Sequence, residues 1–187
     1  MKKIFITEAI IIIFTTLSFA INTGEQAPFF KVSDADGNVL SSESLKGKVV
    51  VGFYDSRNTG DKNIELQAKL NEFYKENKTY TTGAVVKLAI VDGSPANLAS
   101  RFIWNKKLRL KSFEKKITIY GDWDGSMKQS FGFIEEESNF FIIDVNGKLR
   151  FSKTGKISLS DYVQVKDLLI NLTMEGIKKN RKPGNKK

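Results

Sequence analysis

Val49 to Leu70, VVVGFYDSRNTGDKNIELQAKL, is an apolar strand that runs into a polar turn and then into a helix. Val49-Val50-Val51-Gly52-Phe53-Tyr54 is a continuous apolar run, the pattern of a central strand buried on both faces. The helix is predicted from about Asp61 to Lys75, because Leu66, Leu70, Phe73 and Tyr74 then share one face. Between them lies Ser56 to Gly60, a turn without a cysteine.

On the N-terminal side, Phe29 to Val32 reads as a strand and Asp34 to Asn38, DADGN, as a turn into Val39-Leu40. On the C-terminal side a second buried strand is predicted at Ala84 to Val91. Ser94-Pro95 reads as a helix start, with Ser as N-cap and Pro at the first helical position. That helix carries Leu98, Phe102 and Ile103 and is expected to fray through NKKLRLK, residues 105–111. A third strand follows at Ile117 to Tyr120, then a short helix at Ser126 to Phe131 ending at Gly132. Asn139 to Phe151, NFFIIDVNGKLRF, reads as a hairpin turning at Asn146-Gly147. The closing helix opens with Ser158 and Asp161 in S-x-x-D spacing and lines up Tyr162, Val165, Leu169 and Leu172. The order predicts an α/β fold, a mixed sheet flanked by helices on both faces.

Residues 1–20 have the pattern of a signal peptide: basic Lys2 and Lys3, an apolar run from Ala9 to Leu17, and Ser18-Phe19-Ala20 as cleavage signal. Export, with cleavage after Ala20 and a periplasmic destination, is the expectation. Residues 21–177 then form one domain and 178–187 a basic disordered tail. The absence of cysteine excludes thiol redox chemistry, and the absence of histidine excludes Ser-His-Asp and Cys-His catalysis and the usual zinc ligands. Of the net charge of +9, Lys178, Lys179, Arg181, Lys182, Lys186 and Lys187 supply +6. The excess is therefore a tail able to contact an anionic surface, and a nucleic-acid partner is not expected.

The residues GEQAPFF (24–30), DADGNVLSSESLKGKVVVGFYDS (34–56) and FFIIDVNGKL (140–149), in this order and spacing, resemble the thioredoxin-like superfamily, in particular its exported peroxiredoxin and TlpA-type branch. FGFIEEESNFFIIDVNGKLRFSKTGKIS (131–158) and SRNTGDKN (56–63) are most similar to the YtfJ-type family of small exported proteins. The resemblance implies a thioredoxin-like sheet in which the C-x-x-C places fall on Asn58 and Asp61, and the cis-proline place on Ser138. It thus implies a protein that has lost the superfamily's redox function.

The motifs that remain are weighed on their own residues. Asp34-x-Asp36-x-Asn38 and Asp122-x-Asp124-x-Ser126 begin like calcium loops, but the glycine and glutamate places of such a loop hold Val39 and Leu45, or Met127 and Phe133. Both read better as turns. Arg57 and Thr59, before a helix start, suit an anion, although Thr59 or Asp61 as helix cap explains them equally simply. The strand ending at Tyr54 and the strand beginning near Asn139 are expected to be sheet neighbours, which brings the two loops together at one end. The candidate binding face is therefore Ser56, Arg57, Asn58, Thr59 and Asp61 with Glu136, Glu137 and Ser138, Arg57 pairing with Glu136 or Glu137. No metal and no cofactor is expected. The reading is a binding module for a protein or peptide partner. Its rivals are a non-redox enzyme using Glu135 to Glu137 or a Ser-Lys pair of Ser56, Ser138 and Lys62, and an envelope protein held by its tail.

Overall fold

The computed structural model describes residues 21–181, with side chains described to Lys179, so the expected signal segment and the end of the basic stretch lie outside the described residues. Seven strands form one sheet: β1 (Lys31–Ser33), β2 (Val39–Ser41), β3 (Val49–Asp55), β4 (Val85–Asp92), β5 (Ile119–Asp122), β6 (Ser138–Ile143) and β7 (Leu149–Thr154). The helices are α1 (Ile64–Glu76), the short α2 (Lys78–Thr81), α3 (Leu98–Lys115), α4 (Ser126–Phe131) and α5 (Leu159–Arg181). The strand order is β2-β1-β5-β4-β3-β6-β7, with β3, β4 and β5 parallel and the others antiparallel to their neighbours. The mixed sheet with helices on both faces is the predicted architecture.

Strands β3 and β6 are interior neighbours in the sheet and are buried because both are apolar on both faces. Val49 to Val51, Phe140, Phe141 and Ile142 are all almost fully buried. One face is covered by α1 and α5 through Leu66, Leu70, Phe73, Val165, Leu169 and Leu172. On the other, Phe30, Val32, Met127, Phe131 and Phe133 pack on Val50, Tyr54, Leu88, Ile90 and Phe141. Gly52 interrupts the valine run because the Phe141 ring lies over it, and an added Cβ would meet that ring at 2.1 Å.

Several local expectations hold. Gly132 closes α4 in the left-handed conformation. Ser158 and Asp161 cap α5 reciprocally: the Ser158 N–H donates to Asp161 Oδ2 and the Asp161 N–H to Ser158 Oγ. The two aspartate-rich stretches are turns, in which Asp34 Oδ1 accepts from the N–H groups of Asp36 and Asn38, and Asp124 Oδ1 from that of Ser126. Helix α5 runs on to Arg181, so the first residues of the basic stretch are helical.

Helix starts differ from the sequence reading. Neither Thr59 nor Asp61 caps α1, since the chain stays in turns through Asn63 and the helix begins at Ile64. Ser94 does not open α3 either. Its N–H and hydroxyl go to Asp92 Oδ1, and Asn97 is the cap, accepting from the Ser100 N–H. Thr59 is claimed instead by the distant Glu137 carbonyl, and Ser94 by the buried Asp92 two residues before it. Nor does α3 fray at residues 105–111: it continues to Lys115, where Lys116 ends it with φ of 52°.

Candidate functional site

Strand β3 pairs with β6 so that Asp55 stands opposite Ser138, which fixes the two loops beyond them side by side. The Ser56 N–H donates to the Glu137 carbonyl at 3.4 Å, and Thr59 Oγ1 donates to the same carbonyl at 3.1 Å while accepting from the Ser56 N–H. Ser56, Arg57, Asn58, Thr59 and Asp61 are thus brought next to Glu136, Glu137 and Ser138. Their roles differ from the sequence reading in three respects. Arg57 pairs with neither Glu136 nor Glu137. Its guanidinium lies over the Trp104 ring, 5.7 Å from the centroid, and Lys62 pairs with Glu137 instead. Thr59 is buried as a loop tie, and Ser138 is buried, accepting from Asn63 Nδ2 at 3.0 Å. Asn58, Asp61 and Glu136 point outward, Glu136 with φ of 57°.

The enzyme arrangements do not form. Lys62 lies on Glu137 and not on a serine, and Glu135 pairs with Lys128, so the three glutamates make no inward carboxylate pair.

Asn63 was missed by sequence reasoning and organises the site. It is 2 % exposed, donates to Ser138 Oγ and the Gly155 carbonyl and accepts from the Ile157 N–H at 2.8 Å. One side chain therefore joins the loop after β3, the start of β6 and the approach to α5. Asn139 does the same for the glutamate loop, bonding to both backbone groups of Ile134 and accepting from Thr154 Oγ1. A lone buried asparagine has no periodicity, so no local signal marks it.

Beside this loop opens a cavity of about 1200 Å³ between α1, α3 and the β3–β5 part of the sheet. Asp55, Ser56, Arg57, Asn58 and Gly60 line its mouth. Phe53, Tyr74, Ala89, Trp104, Leu108 and Ile119 line its wall, with Lys107, Lys111 and Lys115 from α3. The space exists because α3 covers the sheet incompletely, Leu108 being its one buried residue. Two polar atoms are stranded here: Asp55 Oδ1 and the Tyr74 hydroxyl are buried without a hydrogen-bond partner. Burial pushes the Asp55 carboxyl above the ordinary carboxylate range, with the Ser138 hydroxyl, Lys115 and Lys111 offsetting this in part and Asp61 adding to it. Burial likewise raises the Tyr74 phenol. The site is an apolar trough with a polar, cationic mouth.

This sheet, with its central β3–loop–α1 unit and its final hairpin and helix, is that of the thioredoxin-like class. Residues 23–152 match the AhpC/TSA family, and the chain belongs to that family. Among solved structures it is similar to a conserved protein of Geobacillus kaustophilus, at 16% identity and TM-score 0.62 over 82% of this chain and 83% of that one. It is also similar to the exposed lipoprotein thioredoxin Etrx1 of Streptococcus pneumoniae, at 20% identity and TM-score 0.53 over 75% and 99% of the two chains. The thioredoxin domain of a Bacteroides vulgatus thiol-disulfide oxidoreductase follows at 14% identity and TM-score 0.56 over 80% and 99%. At such identities the likeness concerns the fold. No curated protein sequence matches this one.

Proposed function

We propose that this chain is an exported, redox-inactive thioredoxin-fold module of the YtfJ type that binds an extended segment of a protein or peptide partner in the trough beside residues 56–61. The observation that carries the reading is the cavity of about 1200 Å³ whose mouth is the very loop on which family members place their thiols. With no cysteine in the chain, that loop is left with recognition. Ligands of open α/β sheets favour the strand ends, and here the mouth lies at the end of β3. Arg57 and the α3 lysines favour a segment carrying carboxylates, and Phe53, Trp104 and Leu108 favour apolar side chains between them. Export rests on the pattern of residues 1–20.

Trp104 is a built-in reporter because it lines the trough under Arg57. A photo-crosslinker placed at Asn58 is expected to capture a partner in the cell envelope, and one at exposed Lys46 is not. Peptides from the captured partner should then change Trp104 emission. Arg57→Ala is expected to weaken that binding while leaving the melting temperature nearly unchanged, since an exposed cation–π contact contributes about 0.5–1 kcal/mol. Equal capture from Lys46, or peptides that leave Trp104 emission untouched, would overturn the reading.

A further inference from the structure

Helix α3 turns its apolar side chains outward. Leu98 is 92 % exposed, Phe102 77 %, Phe113 83 %, and Ile103 and Leu110 more than half. At about 3.6 residues per turn, Leu98, Phe102 and Phe113 fall along one line with Leu110 beside it, while Trp104 and Leu108 occupy the side facing the trough. The same helix carries Arg101, Lys106, Lys107, Arg109, Lys111 and Lys115 against a single acid, Glu114. Lys106 stands between Phe102 and Leu110 on the outward face. Neither Lys106 nor Lys107, nor Lys116 just beyond the helix, makes a salt bridge among the described residues.

We propose that the outward face of α3 is a lipid-docking surface, which seats the protein on an anionic bilayer with Phe102 and Phe113 in the headgroup boundary. A surface helix with bulky apolar residues on one side and lysines and arginines around them has the composition of an interfacial helix. The mixture decides among partners. A polyanion such as nucleic acid would be met by the basic residues alone and would leave two phenylalanines and two leucines in water. A second copy of this chain would bring the same positive face against itself, which Coulomb repulsion opposes. An anionic membrane satisfies both components: phosphates for the lysines and acyl chains for the rings. No helix among the described residues is long and apolar enough to cross a membrane, so the contact is with the surface. Seated this way, the protein keeps the trough side of α3 turned away from the lipid and open to its ligand.

The test uses the chain from Ile21 to Lys187, which contains every described element. It is sedimented with vesicles of phosphatidylglycerol and phosphatidylcholine, and with phosphatidylcholine alone. Binding is expected to the anionic vesicles only, and to weaken as salt shortens the Debye length from about 10 Å at 0.1 M to about 3 Å at 1 M. Phe102→Ser combined with Phe113→Ser is expected to weaken binding about tenfold or more with an unchanged circular dichroism spectrum. Lys106→Glu provides an independent variant at an exposed position on the outward face and is expected to weaken binding as well. Removal of residues 178–187 is expected to leave most of it. Phenylalanine and lysine variants that bind like the parent would overturn the proposal, as would binding lost wholly with the tail. A parent that is dimeric, ignores both kinds of vesicle and becomes monomeric in the phenylalanine variant would also overturn it and assign the face to a second copy.

Discussion

Asp55 has a chemistry that its neighbours in sequence do not suggest. It ends an apolar strand, opens into the trough, and holds one carboxylate oxygen without a partner. Its carboxyl is raised by burial, so the folded state holds the proton more tightly than the unfolded state does. Such a group contributes stability at pH below the ordinary carboxylate value, and that contribution is lost as pH rises through the folded value. Asp55→Asn is therefore expected to be more stable than the parent at neutral pH, because the amide carries no charge to desolvate. The difference should shrink toward zero as pH falls below about 4. Urea denaturation of both proteins at neutral and acid pH checks this, and a constant difference across pH would refute it. Sequence reading missed Asp55 because a single acid at a strand end is ordinary; the missing partner is a property of the packed site. It did pick out Arg57, from its place in the turn. It paired Arg57 with an acid because charge is visible in a sequence, whereas the Trp104 ring reaches Arg57 only through the fold.

At the scale of elements, the loop between β3 and α1 shows how a buried side chain overrides capping. Asn63 occupies the N-cap position of α1 yet makes no capping hydrogen bond, because its amide is committed to Ser138, Gly155 and Ile157. Asn63→Ala removes all three contacts and strands the Ile157 N–H, which is expected to lower stability by about 2–3 kcal/mol. A melting temperature lower by about 4–12 °C is the readout, measured calorimetrically. A change of a degree or less would mean that the loop is held by Thr59 and the Lys62–Glu137 pair instead. Helix α5, by contrast, was legible at its start, since Ser158 and Asp161 cap each other from three residues apart, with Lys153 holding Asp161 in addition. Helix α3 was legible as a helix but not in its orientation. Its apolar residues give no sign of which way they face, and the structure turns Leu98, Phe102 and Phe113 to solvent.

At the scale of the whole molecule, the fold retains the shape of a redox scaffold without its chemistry. Asn58 and Asp61, the places that the resemblance assigns to the C-x-x-C pair, are both exposed in a turn. Replacing both with cysteine is expected to leave the melting temperature within a few degrees of the parent. It is not expected to restore a reactive thiol. A low thiol pKa needs a helix N-terminus or a close, poorly solvated cation; α1 begins only at Ile64, beyond both positions, and Lys115, 3.8 Å from Asp61, is exposed so that solvent screens its charge. Iodoacetamide alkylation followed against pH should therefore report thiols near the ordinary value of about 8.5. A thiol titrating well below 7 would show that the turn still supplies the electrostatics of a redox site.

The sequence by itself determined the main strand and helix order, the buried interior place of β3, the adjacency of the two site loops and the exclusion of thiol chemistry. These follow from apolar periodicity, turn residues and composition, all of which act over a few neighbouring positions or over the chain as a total. Only the tertiary structure decided which groups capped helices and which were drawn away, that Lys62 and not Arg57 meets Glu137, and that a trough lies under α3. These depend on distances between residues far apart in the chain, and on how completely one helix covers a sheet. No local pattern encodes that quantity, because an exposed stripe and a buried stripe on a helix have the same period.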